Sequence, residues 1–172
     1  MTPAEILLLA VTLQRLGELV LARHNTRKLL ARGAFEIAPR HYPLIVAVHS
    51  AWLLSLWVFG RDHPLNDIAL LFYVVLQGFR CWVMWTLGSC WTTRIIVLPG
   101  EPLVGSGPYR LVSHPNYVVV SAEIILLPLV LALPLVAAVF TVLNAMVLAI
   151  RIRAENSALA ASRTIVARDA HV

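Results

Sequence analysis

Residues 117–150 read YVVVSAEIILLPLVLALPLVAAVFTVLNAMVLAI, and between Val118 and Ile150 the one formally charged residue is Glu123. A single helix of that length would run ~50 Å at 1.5 Å per residue, well beyond a ~30 Å hydrocarbon core. Pro128 and Pro134 interrupt helical hydrogen bonding. Two apolar segments, Tyr117–Leu133 and Pro134–Ile150, folded back as a tight hairpin near Ala132–Pro134, satisfy both constraints. One kinked, steeply tilted helix is the alternative.

Working towards the N-terminus, three further apolar segments appear: about Ile6–Ala22, Tyr42–Gly60 and Asp67–Leu87. The fold expected is all-α, a single polytopic membrane domain with about five transmembrane helices. It divides into three N-terminal helices (1–87), a polar loop (88–116), the hairpin (117–150) and a C-terminal cap and tail (151–172). Composition agrees. Of 172 residues, 59% are apolar and 13% charged, against ~25% charged in soluble domains. A water-soluble chain this small has no interior large enough to hide that surface, whereas a bilayer covers it.

The net charge is +5, but the basic residues sit between apolar segments, so they read as topology signals and lipid-headgroup contacts rather than a nucleic-acid surface. Arg23, Arg27, Lys28, Arg32 and Arg40 follow segment one, Arg94 and Arg110 follow segment three, and Arg151, Arg153, Arg163 and Arg168 follow segment five. The opposite side holds Arg61. Five crossings place the basic connections on one side, the cytoplasm, with the N-terminus out and the C-terminus in. The expected location is a bacterial inner membrane. The stretch Ala22–Gly33 fits either a helix lying on the headgroups or a solvated loop. Arg15 and Glu18 inside segment one argue for a permanent anchor, not a cleaved leader. Cys81 and Cys90 form neither a metal spacing nor a disulfide framework, and no metal is expected.

Functional groups concentrate in the loop GSCWTTRIIVLPGEPLVGSGPYRLVSHPN, residues 88–116. A loop this long in a small membrane protein points to binding or catalysis. Its end, GPYRLVSHPNY (107–117), offers aromatic faces and hydroxyls at Tyr109 and Tyr117, a fixed cation at Arg110 and a neutral-range imidazole at His114. Pro108 and Pro115 set the backbone, with Asn116 as expected N-cap of the next helix. A second polar cluster, RIRAEN (151–156), follows the hairpin. There Arg151 and Glu155 are spaced to form a surface ion pair, or Glu155 faces a ligand beside the His114 loop. Glu123, alone in an apolar helix, is expected to face the bundle interior and pair with Arg80 or Gln77. The other reading has it lining a lipid pocket.

In LGSCWTTRI (87–95), GPYR…HPNY, the hairpin and RIRAEN, the chain resembles the isoprenylcysteine carboxyl methyltransferase family, over about Leu87–Leu159. These are integral membrane enzymes that use S-adenosylmethionine. The resemblance implies a cofactor enclosed at the cytoplasmic edge by the loop and the C-terminal segment, and a lipophilic substrate entering from the bilayer. It implies cofactor contacts at Tyr109, His114, Pro115, Tyr117, Glu155 and Asn156, and catalytic roles for His114 and Arg110. Trp91, Arg94, Glu123 and Arg153 are then candidates for the substrate side. Two departures stand out: Ser113 where the family commonly has Arg before His-Pro, and Asn156 in place of its second acid. The expected reaction is methylation of an oxygen, either a carboxylate, which needs no base, or a phenol or enol, for which His114 is the candidate base. N-methylation of a phospholipid amine and a non-catalytic membrane scaffold are the alternatives.

Overall fold

A computed structural model describes residues 1–37, 39, 42–101 and 104–169, with side chains described as far as Arg153. The chain forms five helices: α1 (Pro3–Ala31), α2 (Tyr42–Gly60), α3 (Asp67–Leu87), α4 (Pro115–Val130) and α5 (Pro134–Asp169). Two short strands, β1 (Phe35–Glu36) and β2 (Ile96–Val97), pair antiparallel.

The hairpin expectation holds. α4 ends at Val130, and the chain turns through Leu131–Leu133 into α5. Ala132 takes a left-handed φ of 54° there, and Leu133 N donates to the Pro128 carbonyl at 2.8 Å. The boundaries shift by a few residues at the start of α4. His114, not Asn116, occupies the N-cap position, with Pro115 as first helical residue. Proline is favoured there because the N–H it lacks would have no helical partner in any case.

Ala22–Gly33 is neither a headgroup helix nor a loop: α1 runs straight on to Ala31. Asn25 in that extension is 4% exposed. Its Nδ2 donates to the carbonyls of Gly88 (3.2 Å) and Trp91 (2.9 Å), so the extension is held against the start of the polar loop. α5 likewise continues unbroken past Ile150.

α4 is the central helix. Its buried residues include Pro115, Val119, Glu123, Leu127 and Val130, spaced at three to four residues. A core of Leu8, Val11, Trp52, Leu56, Tyr73, Ile124, Leu127 and Leu131 joins it to α1, α2 and α3. The surface around this core is apolar. Phe72 is 59% and Val75 65% exposed on α3, with Val58 and Phe59 on α2 and Val142 and Met146 on α5 exposed likewise. Continuous apolar surface on this scale marks contact with something other than water. α2, α3 and α5 are each long and apolar enough to cross a membrane, and α4 is a shorter apolar helix of 16 residues. The chain is a membrane protein.

The two ends of the bundle differ. At one end Thr2 Oγ1 donates to the Arg61 carbonyl (2.6 Å), and Asn66 N to the Val130 carbonyl (2.8 Å), closing short connections. The other end carries both long polar connections, stitched by β1–β2 and by Ile37 N donating to the Ile95 carbonyl (2.9 Å).

Candidate active site

Where the polar loop leaves α3, Gly88–Cys90 form a single 3-10 turn, and Trp91–Ile95 cross the end of the bundle. The loop is braced from three sides. Arg94 Nη1 donates to both carboxylate oxygens of Glu36, at 3.0 and 2.7 Å, and its guanidinium lies 4.5 Å over the Tyr42 ring. The Tyr42 and Thr93 hydroxyls bond each other at 3.1 Å. Arg151, on α5, donates from Nη1 to the Thr93 carbonyl (2.8 Å) and from Nε to the Tyr117 hydroxyl (2.9 Å), its guanidinium 5.3 Å from the Tyr117 ring centre. Tyr117 in turn stacks on His114, with ring centres 5.0 Å apart and planes within 13°.

Behind this cluster lies a cavity of about 280 Å³ between α1, α2, α4 and α5, close to the lower limit of the ~300–1,000 Å³ usual for small-molecule sites. Leu16, Leu19, Ile45, Val46, Val120, Val147 and Leu148 make much of the wall apolar; Tyr42, Trp91, Tyr117 and Arg151 stand at the loop end.

Arg15, Glu18 and Arg80 also line the cavity, as part of a buried charge network. Arg80 donates from Nε to Glu18 Oε1 (2.6 Å), from Nη2 to Glu18 Oε2 (2.5 Å) and from Nη1 to Glu123 Oε2 (2.7 Å). Arg15 reaches Glu123 Oε2 at 2.8 Å and Glu18 Oε2 at 3.2 Å. Gln77 donates to Glu123 Oε1 at 2.7 Å, and Gln14 bonds both Gln77 and Glu18. Two cations and two anions leave the group neutral, which is what makes it tolerable in an apolar bundle. The expected pairing of Glu123 with Arg80 and Gln77 is present. Sequence reading missed Arg15 and Glu18 as its other half, although their i, i+3 spacing on an apolar helix was the available signal.

The candidate residues fall into groups. Trp91 and Tyr117 are on the cavity wall, and His114 and Pro115 adjoin them through the Tyr117 stack and the first turn of α4. Glu123 is 1% exposed and faces the charge network rather than the cavity wall. Tyr109 and Arg110 lie on a 3-10 turn, Gly107–Arg110, with Arg110 exposed; neither is on the wall. Arg94 braces the loop through Glu36, and Arg151, not Arg153, lines the cavity. The side chains of Glu155 and Asn156 lie outside the described residues. His49 and Asn144 join the wall unannounced by any motif, and Arg151 comes from the RIRAEN segment.

The fold defines a membrane helix bundle with an internal, largely apolar cavity capped by an aromatic and cationic loop. Residues 69–161 match the isoprenylcysteine carboxyl methyltransferase family, and the chain belongs to that family of membrane methyltransferases. The match takes in α3, the loop, the hairpin and the RIRAEN segment. A Bacillus subtilis (strain 168) protein, the uncharacterized YpbQ, is 38% identical over 159 residues, covering 90% of this chain and 95% of its own. An uncharacterized protein of Haemophilus influenzae is 26% identical over 153 residues, covering 84% and 88%. No solved structure matches the chain.

Proposed function

We propose that the chain transfers a methyl group from S-adenosylmethionine to an oxygen of a lipophilic molecule that reaches the cavity from the bilayer. The observation that carries this reading is the join between two environments. The cluster of Trp91, His114, Tyr117 and Arg151 opens directly onto an apolar chamber, in a chain of this family.

The residues present fit the cofactor. Among the described residues Arg151 bonds neutral groups, the Tyr117 hydroxyl and the Thr93 carbonyl, so its charge is available to a carboxylate. Trp91, 3% exposed, stands on the cavity wall at the loop end. The faces of Tyr42, Tyr117 and Trp91 suit a cationic sulfonium and a flat base. When bound, S-adenosylmethionine supplies a methyl carbon on a cationic sulfur, a good leaving group. The protein's share is then chiefly positioning. Arg151 and Tyr117 would anchor the polar end, and Leu16, Ile45, Val120 and Val147 would hold the acceptor's apolar body.

The same reading takes all five helices across the bilayer. α1 carries Arg15 and Glu18 inside the bundle while Leu9, Leu13 and Val20 face outward. The end that holds the polar loop also holds Arg23, Arg27, Lys28, Arg32, Arg94 and Arg151, which supports a cytoplasmic position for it.

Calorimetry of the purified protein in detergent should give heat on adding S-adenosylmethionine or its demethylated product, with a raised thermal midpoint. Absence of both at millimolar ligand overturns the reading. Turnover of labelled cofactor against a lipid extract, followed by mass analysis, identifies the methylated atom and separates O- from N-methylation.

A further inference from the structure

His49 stands on the cavity side of α2, in one stripe with Tyr42, Ile45 and Trp52. Its Nδ1 lies 2.9 Å from the Ile45 carbonyl oxygen, one turn back. A carbonyl oxygen only accepts, so Nδ1 carries the proton, and the neutral ring keeps its lone pair on Nε2. No described residue bonds Nε2. The bond to Ile45 therefore holds a proton acceptor on the wall of the chamber, fixed in tautomer and orientation.

The rest of the wall bears on what the chamber takes. An ionised carboxylate has no proton to give to Nε2. The two arginines beside His49's end of the cavity, Arg15 and Arg80, are already neutralised by Glu18 and Glu123. Arg151 stands at the other end, among the residues given above to the cofactor. A neutral O–H acid, in contrast, donates to Nε2 and brings no charge of its own into the chamber.

We propose that His49 is the proton acceptor of the reaction, and that the methyl acceptor is a neutral phenol or enol on an apolar scaffold rather than a carboxylate. This rests on the methyl-transfer reading above. The acceptor oxygen forms its bond to the methyl carbon, the electron pair of the broken C–S bond stays with sulfur, and the O–H proton passes to His49 Nε2. One positive charge enters the site on sulfur and one remains on the imidazolium, so the chamber's net charge does not change through the step.

The test compares two long-chain acceptors of similar shape: a 4-alkylphenol, whose ordinary pKa is ~10, and an alkyl-nitrophenol already ionised at the assay pH. With His49→Gln, turnover of the alkylphenol should fall roughly 10²- to 10⁴-fold, the usual contribution of a positioned base. Turnover of the nitrophenol should stay near that of the unaltered protein. Cofactor binding by calorimetry, and acceptor binding read from quenching of Trp52 and Trp91 fluorescence, should be unaltered. Equal loss on both acceptors, no loss on either, or an unaltered protein that methylates only fatty carboxylates overturns the proposal while leaving methyl transfer intact. Absence of cofactor heat in the unaltered protein is the different failure, that of the methyl-transfer reading. Should His49→Gln not fold, the unaltered protein decides the matter with a graded acceptor series. Comparable rates for un-ionised and ionised phenols support the base, and rates that follow the ionised fraction overturn it.

Discussion

Glu123→Gln isolates the electrostatic logic of the bundle, because it removes a charge and almost no volume. The carboxylate accepts three bonds, from Arg80 Nη1 (2.7 Å), Arg15 Nη2 (2.8 Å) and Gln77 Nε2 (2.7 Å). The amide keeps the shape, and the Gln77 contact survives if that side chain turns its own amide over. What disappears is the charge. Arg15 and Arg80 are left with Glu18 alone, one positive charge in excess inside an apolar bundle. Breaking a buried pair in this way costs ~3–5 kcal/mol, a large part of the ~5–15 kcal/mol that holds a typical domain folded. Adding Arg15→Gln restores neutrality and leaves Arg80 and Glu18 joined by their two short bonds. The double variant should therefore be more stable than Glu123→Gln alone, with a coupling energy of about 2–3 kcal/mol, high in the range for contacting residues. Reversible unfolding in mixed detergent micelles reads all three free energies. Stability of Glu123→Gln equal to that of the unaltered protein, with an altered substrate preference, would refute the pairing and return Glu123 to the substrate pocket. Strict additivity in the cycle would refute the neutrality argument.

Other consequences can be checked more briefly. Arg151→Met removes the bonds to Tyr117 and Thr93 and the cation at the loop end; S-adenosylmethionine affinity by calorimetry should fall tenfold or more, since bonds to charged groups contribute ~1.5–3 kcal/mol. Asn25→Ala strands two carbonyls, Gly88 and Trp91; it should destabilise the protein by ~1–3 kcal/mol and raise amide exchange selectively across residues 88–95. Gly107→Ala forces a side chain onto a residue at φ 56° and places Cβ 2.7 Å from Thr86 Oγ1. The left-handed conformation alone costs ~1–2 kcal/mol, visible as a lower denaturation midpoint. Single cysteines placed near Lys28 and Arg163 should label from the same side of the membrane; opposite sides would break the five-crossing topology.

Most of the helical architecture was legible in the chain itself, because it depends on local properties. Apolar segments starting at Tyr42, Asp67 and Pro134 are helices in lipid whatever their neighbours, since only internal hydrogen bonding satisfies the backbone there. Prolines at 128 and 134, with too many apolar residues for one crossing, required a turn near Ala132. Glu123 was readable for a related reason: a lone carboxylate in an apolar helix has few polar groups to reach, and Arg80 and Gln77 were among them. Ala22–Gly33 was ambiguous because Ala, Leu, Arg and Lys are all good helix formers and equally at home beside headgroups. Only the docking of Asn25 onto the Gly88 and Trp91 carbonyls decides that α1 continues. The rotation of each helix about its axis was likewise beyond periodicity, since every face of α2 is apolar. That rotation carries His49 to the chamber, turns Arg15 and Glu18 inward to complete the charge network, and sets Arg151, rather than Arg110, against Tyr117. It is settled by packing between residues as far apart as Arg15 and Glu123, 108 positions along the chain, and sequence spacing carries no information about contacts of that range.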